Sequence, residues 1–322
     1  MIYRTLGRTG LEVSVMSMGT GGHDPLGVKS GRAESEMLAL LHRAFDLGIR
    51  LFDSSPGYGR GHSEQLLGRA LASLPRDQLV VTTKIALAGS MPDQPVEIMK
   101  PSAVVPAVEE SLRRLDLDYL DVMLIAVADL PEKFDLVIEE LIPELDKVKQ
   151  QGKIRFLGSS EQTRTDGTHL WLQRILPTDL IDVAMVGHNM INQSARRLVF
   201  PVCQRQNIGV MNVFTVRNLF WNPPRLQEVI SDLKQRGFLD AADVPDGDPL
   251  GWLLEEGDCD SLVEAAYRYA AYTPAVSTTM CGTLDQAELE EDVQFIEKGP
   301  LPSSTIERLT RTFKKIAEPI GN

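Results

Sequence analysis

Apolar positions along this chain fall into two alternating rhythms. Short runs such as Ile49 to Phe52, Val80-Val81-Thr82-Thr83-Lys84 and Tyr119 to Ile125 have the length and β-branched content of buried strands. Between such runs, apolar residues recur at helical spacing. Met37, Leu41, Ala44 and Phe45 predict a helix over 33–47 that stops at Gly48, and Leu136, Val137, Leu141, Leu145 and Val148 predict another over 132–149. Taken in order, the expected strands are 13–18, 49–53, 79–85, 119–125, 154–159, 181–187, 208–213 and 275–281. The helices between and after them are 33–47, 63–73, 103–115, 132–149, 164–175, 192–206, one near 225–236, and 261–272. Residues 2–15 alternate around Gly7-Arg8-Thr9-Gly10 and read as a β-hairpin ahead of the repeating part. Strands alternating with helices imply a parallel sheet covered on the outside, and eight such units imply closure into an α/β, (β/α)8 barrel. The expectation is one domain over 1–322, a barrel with an N-terminal β-hairpin and C-terminal extra helices, the last over 302–317.

Chemistry concentrates where a strand gives way to a loop. The run Ile49 to Phe52 ends in Asp53, passes through Ser54-Ser55-Pro56-Gly57-Tyr58-Gly59-Arg60-Gly61-His62, and restarts as a helix for which Ser63 is the expected cap. The next strand ends in Lys84. Groups at the C-terminal ends of parallel strands are where α/β barrels keep their catalytic residues. An ammonium about 4 Å from a phenol, at an effective dielectric near 20, favours the phenolate by roughly 4 kcal/mol, about three pKa units. Tyr58 is then poised to exchange a proton, with Asp53 holding Lys84 charged and oriented.

Charge and cysteine content narrow the partners. A net charge of −12 argues against nucleic acid or an anionic membrane surface. No apolar run approaches the roughly 18 residues of a membrane span, and Met1-Ile2-Tyr3-Arg4-Thr5 lacks a signal-peptide pattern, so a cytoplasmic protein is expected. Cys203, Cys259 and Cys281 are far apart and in no metal-ligand spacing; they read as free thiols, with no metal site.

The string from Phe52 to Gly68, F-D-S-S-P-x-Y-G-x-G-x-S-E-x-x-L-G, and the T-T-K strand end at Lys84 resemble the aldo-keto reductase family, and the resemblance runs from hairpin to final helix. It implies a hairpin plugging the N-terminal mouth of the barrel, a nicotinamide cofactor, NADP(H) or NAD(H), and a small-molecule carbonyl or alcohol substrate. It makes Asp53, Tyr58 and Lys84 three members of a catalytic tetrad. The fourth, a histidine closing the fourth strand, is replaced: Leu120-Asp121-Val122-Met123-Leu124-Ile125-Ala126-Val127 has alanine at that position. His188, at the end of the sixth strand, reads as bonded to backbone rather than as a substitute; His62 reads as structural, and His23, His42 and His169 belong to no constellation.

Cofactor contacts follow from the same resemblance. Gly152-Lys153-Ile154-Arg155-Phe156-Leu157-Gly158-Ser159-Ser160 matches a strand whose last serine, Ser160, contacts the nicotinamide amide; the asparagine usual after it is Glu161, and the usual glutamine on the sixth strand is Met185. Gly19 and Thr20, opening Gly19-Thr20-Gly21-Gly22, either cradle phosphate or simply make a tight loop. Two long connections, 86–101 and 214–224, are expected over the C-terminal face; in the second, Phe214 and Arg217 are cofactor candidates, with Arg217 reaching the pyrophosphate, beside Phe220 and Trp221. Gly282 and Thr283 open an adenosine loop, and Glu288 and Asp292 stand where amides are usual, with Leu284 where a cation for a 2′-phosphate is usual. Carboxylates there suit a free 2′-hydroxyl, which tilts the balance toward NAD, while the family habit runs toward NADP; both stay open.

The expected function is an NAD(P)-dependent oxidoreductase interconverting carbonyl and alcohol on a small molecule or sugar, with Tyr58 as proton donor, acting as a monomer or small homo-oligomer. The alternative is a nicotinamide-nucleotide-binding regulatory or sensor protein in which Ala126 impairs catalysis, as in potassium-channel β subunits of that family, which also lack the histidine. Resemblance of the Tyr58 loop to aldose dehydrogenases adds a third reading, sugar oxidation.

Overall fold

A computed structural model of the chain describes residues 1–88, 98–127, 133–161, 166–240, 242–318 and 320. Strands β1 (Tyr3–Thr5) and β2 (Glu12–Ser14) form the antiparallel hairpin. Eight parallel strands follow: β3 (Met16–Gly19), β4 (Leu51–Asp53), β5 (Val80–Ala88), β6 (Leu120–Val127), β7 (Ile154–Ser160), β8 (Val183–Gly187), β9 (Gly209–Val213) and β10 (Thr278–Cys281). They close in chain order, with β10 pairing β3, so the molecule is a (β/α)8 barrel with helices between its strands.

Side-chain alternation along each strand builds two cores. Outward residues such as Met16, Met18, Phe52, Val81, Met123, Ile125 and Leu157 pack with the surrounding helices. Inward residues Leu51, Val80, Val122, Leu124, Val183, Met185 and Met211 fill the barrel and meet Leu6, Leu11 and Val13 of the hairpin, which plugs the N-terminal mouth as expected. A third cluster joins Leu219 and Phe220 to the helices Pro223–Gln235, Trp252–Gly257 and Ser303–Phe313. Leu250 and Leu253 are wholly buried in this cluster.

Several elements differ from their expected bounds for identifiable reasons. The run 13–18 divides, with Val13 in the hairpin and the barrel strand starting at Met16. The helix expected over 132–149 contains a π-helical turn, Val137–Leu141, followed by the helix Ile142–Gln150 with proline in its first turn. Pro143 has no N–H, and its ring crowds the preceding turn, which a widened turn relieves. Pro201 similarly divides 192–206 into Ala195–Leu198 and Phe200–Gln206. The helix expected over 164–175 runs only Leu170–Ile175, because His169 before it is left-handed with φ 58°. The 86–101 connection begins later than expected, since β5 continues to Ala88, and 89–97 lie outside the described residues.

Two buried features of the helical layer carry measurable consequences. Glu64, with no exposure, accepts from Thr83 Oγ1 at 2.6 Å and from Arg114 Nε at 2.5 Å, tying the helix His62–Leu71 to β5 and to the helix Pro101–Leu115. Gly68 lies where these two helices touch: a Cβ there would stand 2.3 Å from the Leu115 carbonyl oxygen. The second feature is Asp292, buried in the helix Gln286–Glu297 with its Oδ2 3.3 Å from Cys281 Sγ. Burial pushes its carboxyl up to about 7, against hydrogen bonds from Tyr267 and Cys281 and with Glu288 and Glu291 adding to the shift.

Gly68→Ala should destabilise the protein by about 1–3 kcal/mol in chemical denaturation, because overpacking against main chain outweighs the roughly 1 kcal/mol gain in helix propensity. Asp292 predicts a pH dependence. The folded carboxyl keeps its proton to about pH 7 and the unfolded one only to about 3.8, so between these values the folded state binds more protons. Its contribution to stability is full below the lower value and is lost as pH rises through the upper one. Denaturation of wild type and Asp292→Asn from pH 4 to 8 should therefore differ by a slope of at most about 1.4 kcal/mol per pH unit, wild type losing stability toward pH 8 relative to the variant.

Candidate active site

The site starts from strand periodicity. Thr82, Lys84 and Ala86 share the inward face of β5, and Asp53, closing β4, pairs in register with Thr82. Lys84 Nζ thereby reaches Asp53 Oδ2 at 2.5 Å and the Ser54 carbonyl at 2.9 Å, while Asp53 Oδ1 accepts from Thr82 Oγ1 at 2.7 Å. Asp53 and Lys84 are both buried. Burial opposes the charge on Lys84, yet the Asp53 carboxylate and the Tyr58 phenol, by charge and by hydrogen bond, hold its pKa above the usual lysine value.

Tyr58 enters from the loop after β4. The turn Tyr58–Gly61 has three left-handed residues in succession, Gly59, Arg60 and Gly61, at φ 58°, 55° and 88°. That geometry swings the tyrosine over the barrel mouth, with Lys84 Nζ 5.0 Å from its ring centroid. The three sequence-derived catalytic candidates are therefore one cluster. Ser63 does not cap the following helix: Gly61 holds the cap position, and the buried Ser63 hydroxyl donates to the Thr20 carbonyl at 3.1 Å.

Beside this cluster the barrel wall is short-chained. Ala86, Ala126 and Ser160 stand side by side in register on β5, β6 and β7, so Ala126 presents a methyl at the mouth where an imidazole was expected from the resemblance. His188 is no replacement. It is buried, its Nδ1 3.2 Å from the Asn192 carbonyl and its Nε2 3.2 Å from Thr273 Oγ1, and burial with nearby Arg196 lowers its pKa to about 3. His62 is partly exposed, 3.9 Å from Glu34, consistent with a structural part.

His169, by contrast, does belong to a constellation, which corrects the sequence reading. Its Nδ1 is 2.6 Å from Glu161 Oε2 and its Nε2 is 2.8 Å from Ser194 Oγ, which in turn lies 2.9 Å from the Gly167 carbonyl; Glu161 Oε1 accepts the Gly187 N–H at 2.7 Å. Burial raises the Glu161 pKa, against the pull of His169. Ser194 donates to the Gly167 carbonyl and so receives from His169 Nε2. The pair of Glu161 and His169 braces the ends of β7 and β8 and turns Glu161 into the protein. Glu161 is 8 residues and Ser194 25 residues from His169 in sequence.

The expected cofactor residues separate into exposed and committed groups. Ser160 Oγ faces Met185 Sδ at 3.5 Å, at the mouth. Phe214 is 38% exposed with the Arg217 guanidinium stacked 4.1 Å over its ring, both residues left-handed. Phe220 belongs to the core, whereas Trp221 is largely exposed. Gly282 faces open space; Thr283 Oγ1 donates to Glu288 Oε2 at 2.5 Å, and Asp285 caps the following helix. Gly19 packs against Met280, and the Thr20 hydroxyl is occupied 3.1 Å from the Asp53 carbonyl and 2.8 Å from Ser54 Oγ, so this pair shapes the loop rather than offering free donors. Asp292 likewise points inward, toward Cys281. The sequence reading missed Arg32, which donates to the Leu284 carbonyl at 3.1 Å and brings a cation to that end of the barrel. All three cysteines are free and buried, and among the described residues no cluster of His, Cys, Asp or Glu could hold a metal ion and no helix is long and apolar enough to cross a membrane.

The chain is similar to several known proteins. An L-galactose dehydrogenase from Arabidopsis thaliana is 28% identical over 99% of this chain and 95% of its own length. An NADH-specific methylglyoxal reductase from Escherichia coli is 28% identical over 64% of each chain. Among solved structures, an aldo-keto reductase from Bacillus halodurans in its holo form superposes with a TM-score of 0.72 at 23% identity, covering 97% of this chain and 96% of that one. The model of the aldo/keto reductase family matches residues 17–313, and the chain belongs to that family.

Proposed function

We propose that this protein is a nicotinamide-dinucleotide-dependent oxidoreductase that interconverts a carbonyl and an alcohol on a small polar molecule, with Tyr58 exchanging the proton. The observation that carries this reading is the ammonium of Lys84, held at 2.5 Å by Asp53 under the Tyr58 ring. Tyr58 gives its proton to a carbonyl oxygen, or takes one from a hydroxyl, and Lys84 stabilises the negative charge left on the phenol. Asp53 keeps Lys84 charged and aimed. A bound dinucleotide supplies or accepts the hydride.

The residues present fit such a group. Ser160 would meet the carboxamide, Phe214 offers an exposed ring for the nicotinamide end, Arg217 a guanidinium for the pyrophosphate, and Gly282, Thr283 and Glu288 an open loop for the adenosine end. Gly19 and Thr20 support that surface from beneath, and Asp292 does so through Cys281. Glu288 suits the free ribose hydroxyl of NAD, whereas Arg32 beside Leu284 suits the phosphate of NADP, so both cofactors belong in the assay. The L-galactose dehydrogenase relative and the methylglyoxal reductase relative point to aldoses in the oxidative direction and to small aldehydes in the reductive one.

A second reading has its own observation. Ala126 removes a donor from the mouth, and losing one such donor costs on the order of 10²–10³ in rate, so a cofactor-binding protein with little turnover has physical support.

Two measurements divide the readings. Turnover should be followed by dinucleotide absorbance, using NADH and NADPH with methylglyoxal and NAD and NADP with L-galactose. Tyr58→Phe should lower kcat/KM by roughly 10²–10⁴ while leaving dinucleotide affinity unchanged; equal turnover by both proteins ends the proton-exchange assignment. Ala126→His should raise the rate with a small aldehyde by about tenfold or more by restoring a donor. Tight dinucleotide binding with no turnover in either protein favours the regulatory reading.

A further inference from the structure

We propose that Gly21 is a positioning residue for Tyr58, fixing where the phenol stands by offering it bare main chain to lie on. This rests on the reading of Tyr58 as the proton-exchanging group. A Cβ at residue 21 would lie 2.4 Å from Tyr58 Cζ, 2.5 Å from Cε2 and 2.9 Å from Cε1, the three carbons at the hydroxyl end of the ring. Backbone conformation does not require the glycine, because residue 21 is not among the left-handed positions of the chain. The requirement comes from the ring alone.

What yields to a side chain at 21 is set by what is tied down. The preceding residue is anchored on three sides: the Thr20 N–H donates to the Asp53 carbonyl at 2.9 Å, its hydroxyl lies against Ser54, and its carbonyl receives Ser63. The loop is thus secured at its start to the same two residues that hold Lys84. The Tyr58 ring, by contrast, turns on two side-chain bonds. Gly68 differs in kind, since its obstacle is the main chain of Leu115 and a methyl there strains the fold. At Gly21 a methyl moves the phenol. Ordinary carbon contacts are about 3.5–4.0 Å, so relief from 2.4 Å takes a displacement of roughly 1 Å, enough to cost on the order of 10²-fold in a positioned proton transfer.

The test compares wild type, Gly21→Ala, Tyr58→Phe, Tyr58→Ala and the Gly21→Ala/Tyr58→Ala double variant. With whichever of methylglyoxal or L-galactose the wild type turns over, Gly21→Ala should lose kcat by on the order of 10²-fold while the dissociation constants of NADH and NADPH, read by fluorescence, stay within about twofold. Thermal denaturation needs no turnover: Gly21→Ala should lower Tm when Tyr58 is present and leave it unchanged when residue 58 is alanine. Wild-type kcat in Gly21→Ala, or an equal Tm loss in both backgrounds, overturns the inference. If Tyr58→Phe is fully active, the proton-exchange reading fails and the catalytic part of this inference fails with it; if Tyr58→Phe is inactive and Gly21→Ala is not, this inference fails alone.

Discussion

A buried positive charge is the constraint on which the barrel mouth depends. Taking an ammonium out of water costs several kcal/mol unless it is paired and hydrogen-bonded. Lys84 meets that requirement with one carboxylate oxygen of Asp53 and the carbonyl of Ser54, and Thr82 satisfies the other oxygen of Asp53. Those contacts exist only while β4 and β5 keep their register. The charge therefore demands the sheet, and the sheet fixes where the charge can act.

The surrounding loops are arranged around that pair. Thr20 reaches it from β3 through the Asp53 carbonyl and Ser54, and Ser63 reaches Thr20 from the helix after Tyr58. One strand further, Glu64 binds Thr83, the outward neighbour of Lys84, and Arg114. Consecutive residues of β5 thus face two different ion pairs, one inside the barrel and one outside that locks helices to the sheet. On the far side of the mouth, Glu161 and His169 brace β7 against β8 without exposing a net charge to solvent.

The parts of this arrangement legible in the sequence are those encoded locally. Asp53 closes β4, Tyr58 follows in the next loop and Lys84 lies within the neighbouring β5, and the periods of two and 3.6 reveal the strands and helical faces whose apolar sides are buried. Where a feature depends on a through-space partner, the linear pattern is silent. Ser63 looks like a cap because it precedes Glu64, but left-handed Gly61 starts the helix one residue earlier and sends the serine inward. The π-helical turn at Val137–Leu141 answers a proline beyond it and leaves the apolar spacing intact. His169 and Gly21 acquire meaning only from residues in other segments: Glu161 and Ser194 for one, the Tyr58 ring for the other.

Closure of the sheet between β3 and β10 has a consequence for how the molecule comes into being. Met16, Ser17 and Met18 pair with Thr279, Met280 and Cys281, segments at opposite ends of the polypeptide. The strands bearing Asp53 and Lys84 find both partners among their sequence neighbours, but β3 keeps one edge unpaired until β10 arrives. Contacts of such long sequence separation form slowly, and an open parallel edge invites wrong partners in the interval. The barrel therefore closes in one late step, when β10 docks between β3 and β9.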